Sequence, residues 1–235
     1  MNNKLPLHIG IIMDGNGRYA QMFGKPRSWG HQEGAKNLKK LTKYIFKKNI
    51  KYLSVYAFST ENFKRPKEEV DYLMNLFISM FTHDFAFLLK EKVKVVFSGR
   101  KKDLPPKVIK AMHEMEEKSK NNTSATFNVC LNYGAQDEMV DAVYKISQKV
   151  LNQELKLSEI TKEVVEDNLY QKLPPLDLVI RTSGEQRLSN FMLWQSSYAE
   201  FYFPKCHFPE FDEKEFDKAL EAYASRDRRF GNVSK

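Results

Sequence analysis

The sequence predicts an α/β fold, a single domain with a mainly parallel six-stranded sheet flanked by helices. Two observations carry this. Six short apolar runs alternate along the chain with longer segments of helical periodicity, the order that a parallel sheet with crossover helices requires. No internal repeat, low-complexity tract or Gly/Ser linker divides the 235 residues, a length that suits one large domain spanning 1–235. Composition agrees, since 42% hydrophobic and 29% charged residues describe an ordinary globular chain.

The first apolar run, 8–13, is followed by Asp14, Gly15, Asn16, Gly17 and Arg18, a turn that opens a helix. A helical pattern near 34–48 leads to the second strand, 52–58. Pro66 suits the start of the next helix, 67–90. There Val70, Met74, Phe77, Phe81, Phe85 and Leu88 form one stripe, widened by Leu73, Leu76 and Met80. So broad an apolar face suits either a buried core or the wall of an apolar ligand cavity. Strands follow at 93–97, 126–131, 178–180 and 200–203, with helices at 106–120, 136–151, 159–171 and 213–224 between or after them.

Lys and Arg outnumber Asp and Glu by 38 to 30, a net charge of +8. That surplus suits an anionic partner: nucleic acid, a lipid surface or a phosphorylated small molecule. Nine of the positive residues are arginines, at 18, 27, 65, 100, 181, 187, 226, 228 and 229. Arginine is the residue suited to bidentate phosphate binding. Lysines 36, 39, 40, 43, 47, 48 and 51 fall on one helix and its exit, mostly as a solvated face. Cys130 and Cys206 lie in no CxxC pattern, so a reduced, cytosolic setting is the simplest expectation. His83 and Asp84 interrupt the most apolar stretch, and Asp14 ends an N-terminal apolar run too short for a signal peptide.

Four segments carry groups that bind anions. Asp14–Arg18 presents free backbone N–H groups at a helix start, at the carboxyl end of a parallel strand, where open α/β sheets place their sites. Arg27 and His31 lie ahead of the helix near Gly34, within reach of the same anion. Ser59, Thr60, Glu61, Asn62, Phe63 and Arg65 follow the second strand. Arg181, Arg187, Leu188 and Ser189 follow the fifth, in a segment of two arginines, several hydroxyls and a glycine that resembles a second phosphate cradle. Neither GxxxxGK[ST] nor GxGxxG occurs, which argues against an ATPase or a dehydrogenase. Together the segments imply a site for more than one phosphate group.

These segments, in this order and spacing, resemble the cis-prenyltransferases, and most closely the bacterial undecaprenyl diphosphate synthase family. The resemblance runs from His8 to Gly231. It rests on HIGIIMDGNGR, RSWGH, YAFSTENFKRP, LNYG, DLVIRTSGEQRLSNFMLWQSSYAEFYF and RDRRFG. It implies a transferase that extends farnesyl diphosphate by repeated cis addition of isopentenyl diphosphate, giving undecaprenyl diphosphate, the lipid carrier precursor for cell-wall peptidoglycan.

By the same resemblance, the allylic diphosphate sits on Gly15, Asn16, Gly17 and Arg18 with Arg27 and His31. Isopentenyl diphosphate sits on Arg181, Arg187 and Ser189. Ser59, Thr60, Glu61, Phe63, Arg65 and Leu188 join the substrate site. Magnesium is bound by Asp14 and Glu200, and Asn62 assists proton removal, with a diphosphate oxygen as the competing base. The 67–90 helix walls a product tunnel along Leu73, Leu76 and Phe77, with Ala57 on the neighbouring strand. A homodimer, a cytoplasmic location and a peripheral contact with the inner face of the membrane for product release are implied as well. Tyr19 and Phe63 stand where the family commonly has Trp, and Ser183 where many members have Gly.

Rival readings fare worse. A trans-type prenyl synthase needs DDxxD, and this chain has no adjacent aspartates. A non-catalytic partner subunit of a heteromeric cis-prenyltransferase typically lacks the first-strand Asp and its turn, both present here. A nucleic-acid binder is unsupported, because the arginines gather in strand-end loops and not along one helix.

Overall fold

The computed structural model describes residues 5–226. Its centre is one sheet of six strands: β1 (His8–Ile12), β2 (Tyr52–Ser59), β3 (Val93–Ser98), β4 (Ala125–Tyr133), β5 (Leu178–Arg181) and β6 (Glu200–Tyr202). Their spatial order is β3-β4-β2-β1-β5-β6 and every pairing is parallel. All five residues of β1 are buried, as expected of a central strand covered on both faces. From β1 the chain crosses to β2 on one side, and β5 later takes the other side. The order therefore reverses at β1/β5, and the crevice beyond their carboxyl ends is where such sheets bind ligands.

The helices are α1 (Asn16–Met22), α2 (Arg27–Lys47), α3 (Lys67–Ser79), α4 (Ala86–Lys90), α5 (Pro106–Ser119), α6 (Ala135–Leu151), α7 (Lys162–Asn168) and α8 (Glu213–Ala224). Three differ from expectation. Helix α2 begins at Arg27, not near Gly34, because Gly30 and Gly34 lie inside the helix and admit the start of α1. A Cβ on Gly30 would stand 1.9 Å from the Asn16 carbonyl oxygen, and one on Gly34 2.4 Å from Asn16 Oδ1. The 67–90 segment is two helices joined by a π-helical turn, Met80–Asp84, closed by Phe85 N–H donating to the Met80 carbonyl at 2.9 Å. Turns of this kind inside helices recur at functional sites. Helix α7 is shorter than the 159–171 pattern.

By length and mean hydropathy (1.3) the 24 residues Lys67–Lys90 would suffice to cross a bilayer. Here Leu73, Met74, Phe77, Met80, Phe81, Phe85 and Leu88 instead join the core, together with residues of the sheet and α2. A buried polar chain also crosses the sheet. His8 Nε2 meets Ser54 Oγ at 2.8 Å, Asn128 Nδ2 donates to Ser54 at 3.0 Å, and Ser98 Oγ donates to Asn128 Oδ1 at 2.9 Å. Burial pushes the His8 imidazole down to about 4, so the ring is neutral at ordinary pH.

Candidate active site

The turn after β1 is built by residues distant in sequence. Gly15 has φ +103°, and a Cβ there would lie 2.0 Å from Ser183 Oγ, so only glycine fits. Thr182 and Ser183 hydroxyls donate to the Asp14 carbonyl at 2.6 and 3.0 Å, tying the turn to the loop after β5. Ser183 itself has φ +72°. That left-handed conformation favours glycine, the residue that the family resemblance leads one to expect there.

Asp14 sits at the switch point between β1 and β5. Its Oδ2 accepts from Arg181 Nη2 at 2.9 Å and its Oδ1 from Arg18 Nη2 at 3.1 Å. Burial raises the Asp14 carboxyl, but the two guanidinium groups outweigh it and hold the group below the usual carboxylate range. Arg181 is 5% exposed and also donates to the Arg187 carbonyl at 2.6 Å and Ser189 Oγ at 2.7 Å. Its buried Nε has no protein acceptor. Ser189, Asn190 and Met192 all have positive φ, a concentration of strained backbone beside the site.

A second cationic group gathers on Glu69 of α3. Arg27 grips its carboxylate through Nε and Nη2 at 3.0 and 3.2 Å, Arg65 meets it at 3.0 Å, and His31 Nε2 at 3.1 Å. Burial lowers His31, and the neighbouring arginines add to that against the opposing pull of Glu69. A third carboxylate, Glu185, holds Arg18 at 2.7 Å and also pairs with Arg187. Each motif arginine is thus placed by a carboxylate. The pairs of Arg18, Arg27 and Arg187 are half-exposed, hence weak and readily exchanged for phosphate.

These groups surround a cleft of about 610 Å³ lined by Asp14–Arg18, Arg27, His31, Ser59, Glu61, Asn62, Arg65, Arg181 and Ser189. Met13, Asn16, His31, Ala57 and Leu73 are shared with an adjoining apolar cavity of about 60 Å³. Leu76 and Phe77 line that cavity too, so the four residues assigned to a product path, Ala57 from β2 and three from α3, line one cavity.

Other assigned residues stand outside the cleft. Tyr19 stacks on Trp29 with ring centroids 5.5 Å apart, and Phe63 packs edge-on against Phe58 at 4.9 Å. Leu188 packs against a second apolar cluster that includes Phe191. Thr60 faces Gly134, and Arg187 contributes its carbonyl to Arg181 while its side chain turns to Glu185. Asn62, which does line the cleft, accepts the Ser59 N–H on Oδ1 at 3.1 Å, a bond that caps the turn Thr60–Lys64 and engages one of that oxygen's two lone pairs.

Asp14 and Glu200 are not brought together. Glu200 opens β6 in register with Leu178, three strand positions (about 10 Å) before Arg181. It lies toward the opposite edge of the sheet, with Arg226 Nη1 at 2.8 Å. Arg226 also donates to the Phe201 carbonyl at 3.2 Å; Arg228 and Arg229 lie outside the described residues. The arginine-holding roles of Glu69 and Glu185, the cleft position of Asn190 and the contact of His207 with Ser183 were not assigned from sequence. Only the Arg65/Glu69 spacing, one helical turn, gave a local signal.

An anion cleft that opens on an apolar cavity at the switch point of a parallel sheet suits a ligand with a phosphorylated head and a hydrocarbon tail. Residues 12–231 match the family model described as putative undecaprenyl diphosphate synthase. The chain belongs to that family of prenyltransferases. An isoprenyl transferase of Fusobacterium nucleatum is 48% identical, with 99% of each chain covered. The farnesyl-diphosphate-specific ditrans,polycis-undecaprenyl-diphosphate synthase of Pasteurella multocida is 43% identical, covering 98% of this chain and 97% of that one. Lavandulyl diphosphate synthase of Lavandula x intermedia, solved with dimethylallyl diphosphate, superposes with a TM-score of 0.94. It is 36% identical, with 97% of this chain and 99% of that one covered.

Proposed function

We propose that the protein extends farnesyl diphosphate by repeated cis addition of isopentenyl units, making undecaprenyl diphosphate for use as a cell-wall lipid carrier. One observation carries the reading: the arginine-lined cleft continues into the apolar cavity through Met13, Asn16, His31, Ala57 and Leu73. In each cycle the allylic C–O bond breaks, diphosphate leaves, and the isopentenyl double bond attacks the allylic carbon. The proton then lost from the isopentenyl unit goes to a diphosphate oxygen. Asn62 is the weaker base, since a neutral amide whose oxygen already accepts a backbone N–H has little capacity for a proton.

Arg18, Arg27, Arg65, Arg181 and His31 supply donors to the departing charge, and preorganised donors of this kind stabilise the transition state. Asp14 fits magnesium as a carboxylate kept ionised by its arginines. No group of three metal-ligating side chains occurs among the described residues, so phosphate oxygens and water would complete the shell, the usual magnesium arrangement. When bound, magnesium would neutralise charge building on the leaving diphosphate. Glu200 of the same chain, at the amino end of β6, does not reach Asp14, so within one chain Asp14 is the carboxylate that would hold the ion.

Burying a five-carbon unit is worth about 3–4 kcal/mol at ~0.8 kcal/mol per CH₂, so an apolar path favours elongation. The cavity is smaller than the ~150 Å³ that accepts a benzene ring, so its aromatic lining has to swing aside as the chain enters. A homodimer belongs to the reading, supported by Val140, Val143, Tyr144 and Leu151 exposed along α6. A cytoplasmic enzyme with peripheral membrane contact suits water-soluble substrates and a lipid product.

The test incubates pure protein with farnesyl diphosphate, labelled isopentenyl diphosphate, magnesium and detergent. Long-chain polyprenyl diphosphate is expected; none from folded protein would refute the reaction. A monomeric mass by light scattering at assay concentration would refute the dimer.

A further inference from the structure

At the opposite edge of the sheet from the arginine cleft lies a second groove of about 450 Å³. It is formed where α2 ends, where β2, β3 and β4 begin and where α4 passes by. Phe46, Ile50, Phe87 and Val93 give it an apolar floor, and Lys43, Lys47 and Lys51 rim it, with Glu91 as the one acidic side chain in its lining. Neighbouring lysines are neutralised, Lys36 by Glu33, Lys39 by Asp84 and Lys48 by Asp217. Among the described residues no ion pair holds Lys43, Lys47 or Lys51. Lys43 rests over the Phe87 ring at 4.8 Å, and Lys51 donates to the Ser124 carbonyl at 3.4 Å.

The groove is close to the apolar cavity. Phe85 and Phe127 line the cavity, and Phe46 and Phe87 line the groove. Their rings touch: Phe127 meets Phe46 edge-on at 6.4 Å, and Phe85 lies 5.2 Å from Phe127 and 6.0 Å from Phe87. Two contacting layers of aromatic rings, Phe85 and Phe127 on the cavity side and Phe46 and Phe87 on the groove side, therefore lie between a cavity fed from the anion cleft and a groove open to the outside.

We propose that this lysine-rimmed groove docks on an anionic lipid bilayer and places the closed end of the apolar cavity against hydrocarbon, where a long product leaves. The charge selects the occupant. Three unneutralised ammonium groups around an apolar floor match a surface of anionic headgroups over acyl chains, and each basic residue near such a surface strengthens binding about fivefold. The product-exit part rests on the reaction proposed above, and the docking assigns a surface to the membrane contact proposed there.

The experiment measures sedimentation of the full chain with vesicles of phosphatidylcholine alone and of phosphatidylcholine mixed with phosphatidylglycerol, at low and high salt. Binding is expected only to the anionic vesicles, and to weaken with salt. The variant Lys43→Gln/Lys47→Gln/Lys51→Gln should bind about 100-fold more weakly, with turnover in detergent unchanged. Lys101→Gln/Lys102→Gln/Lys107→Gln, which removes equal charge elsewhere, should bind as the parent does. Equal loss in both variants reduces the effect to net charge and overturns the site. Absent binding by the parent, or an unaffected groove variant, overturns it too. A groove variant that keeps vesicle binding but changes sedimenting mass would assign the groove to contact between copies. Detergent activity, measured alongside, separates failure of docking from failure of the reaction.

Discussion

Replacing Asp14 with alanine removes a structural partner as well as a reacting group. Arg181 is 5% exposed and has three acceptors, of which Asp14 is the only charged one. Deleting one side of a buried pair costs about 3–5 kcal/mol. The Asp14 side chain is 26% exposed, so water can take part of its place, and about 2–3 kcal/mol is the better figure. For a chain of this length that lowers Tm by roughly 4–12 °C. The assay is thermal unfolding in metal-free buffer with and without inorganic diphosphate. Diphosphate should raise the Tm of Asp14→Ala more than that of the parent, because in the parent the anion meets the Asp14 charge. Asp14→Asn, which keeps an acceptor, should regain most of the stability. Neither variant should regain turnover, which is expected to fall by about 100-fold or more. An unchanged Tm, or equal stabilisation of parent and Asp14→Ala by diphosphate, would refute the coupling to Arg181. Near-normal turnover of Asp14→Asn would refute the need for charge at that carboxylate.

Four further outcomes follow from the geometry. His8 is neutral when folded, with its group lowered from 6.5 to about 4. Its contribution is complete above pH 6.5 and lost as pH falls toward 4, because only the unfolded chain takes up the proton there. That amounts to about 3 kcal/mol, and urea unfolding across the window should show this slope shrinking in His8→Gln. Gly30→Ala should cost about 1–3 kcal/mol and raise KM for the allylic diphosphate, since the new Cβ meets the Asn16 carbonyl. Gly24→Ala has open space and φ +60°, so denaturant melts should show about 1 kcal/mol of strain with KM unchanged. Glu69→Gln frees Arg27, Arg65 and His31; inorganic diphosphate should bind more tightly by titration calorimetry while kcat drops on the order of 10–100-fold. A rise of Kd together with an unchanged kcat would contradict that assignment.

Much of this protein was legible along the chain. The expected strand starts match the structure at every strand except β4, which begins one residue earlier, and α8 runs over 213–224 as its pattern indicates. Those features depend on neighbours within one or two turns, where apolar period and turn chemistry act directly. Asp14, Gly15 and the arginines declared an anion site for the same reason, as side-chain types placed at strand ends.

What the chain could not disclose were the pairings. Glu69 collects residues up to 42 positions away, and Asp14 meets Arg181 across 167. Such contacts exist only because β5 docks beside β1 and α3 beside α2. The same crossovers carry Glu200 toward the far edge of the sheet, and they bury Gly30 inside α2, where α1 lies on it. Local sequence determined which groups are present and on which element. The order of strands in the sheet decided which of them meet, because parallel neighbours separated by helices bring together residues that no local period relates.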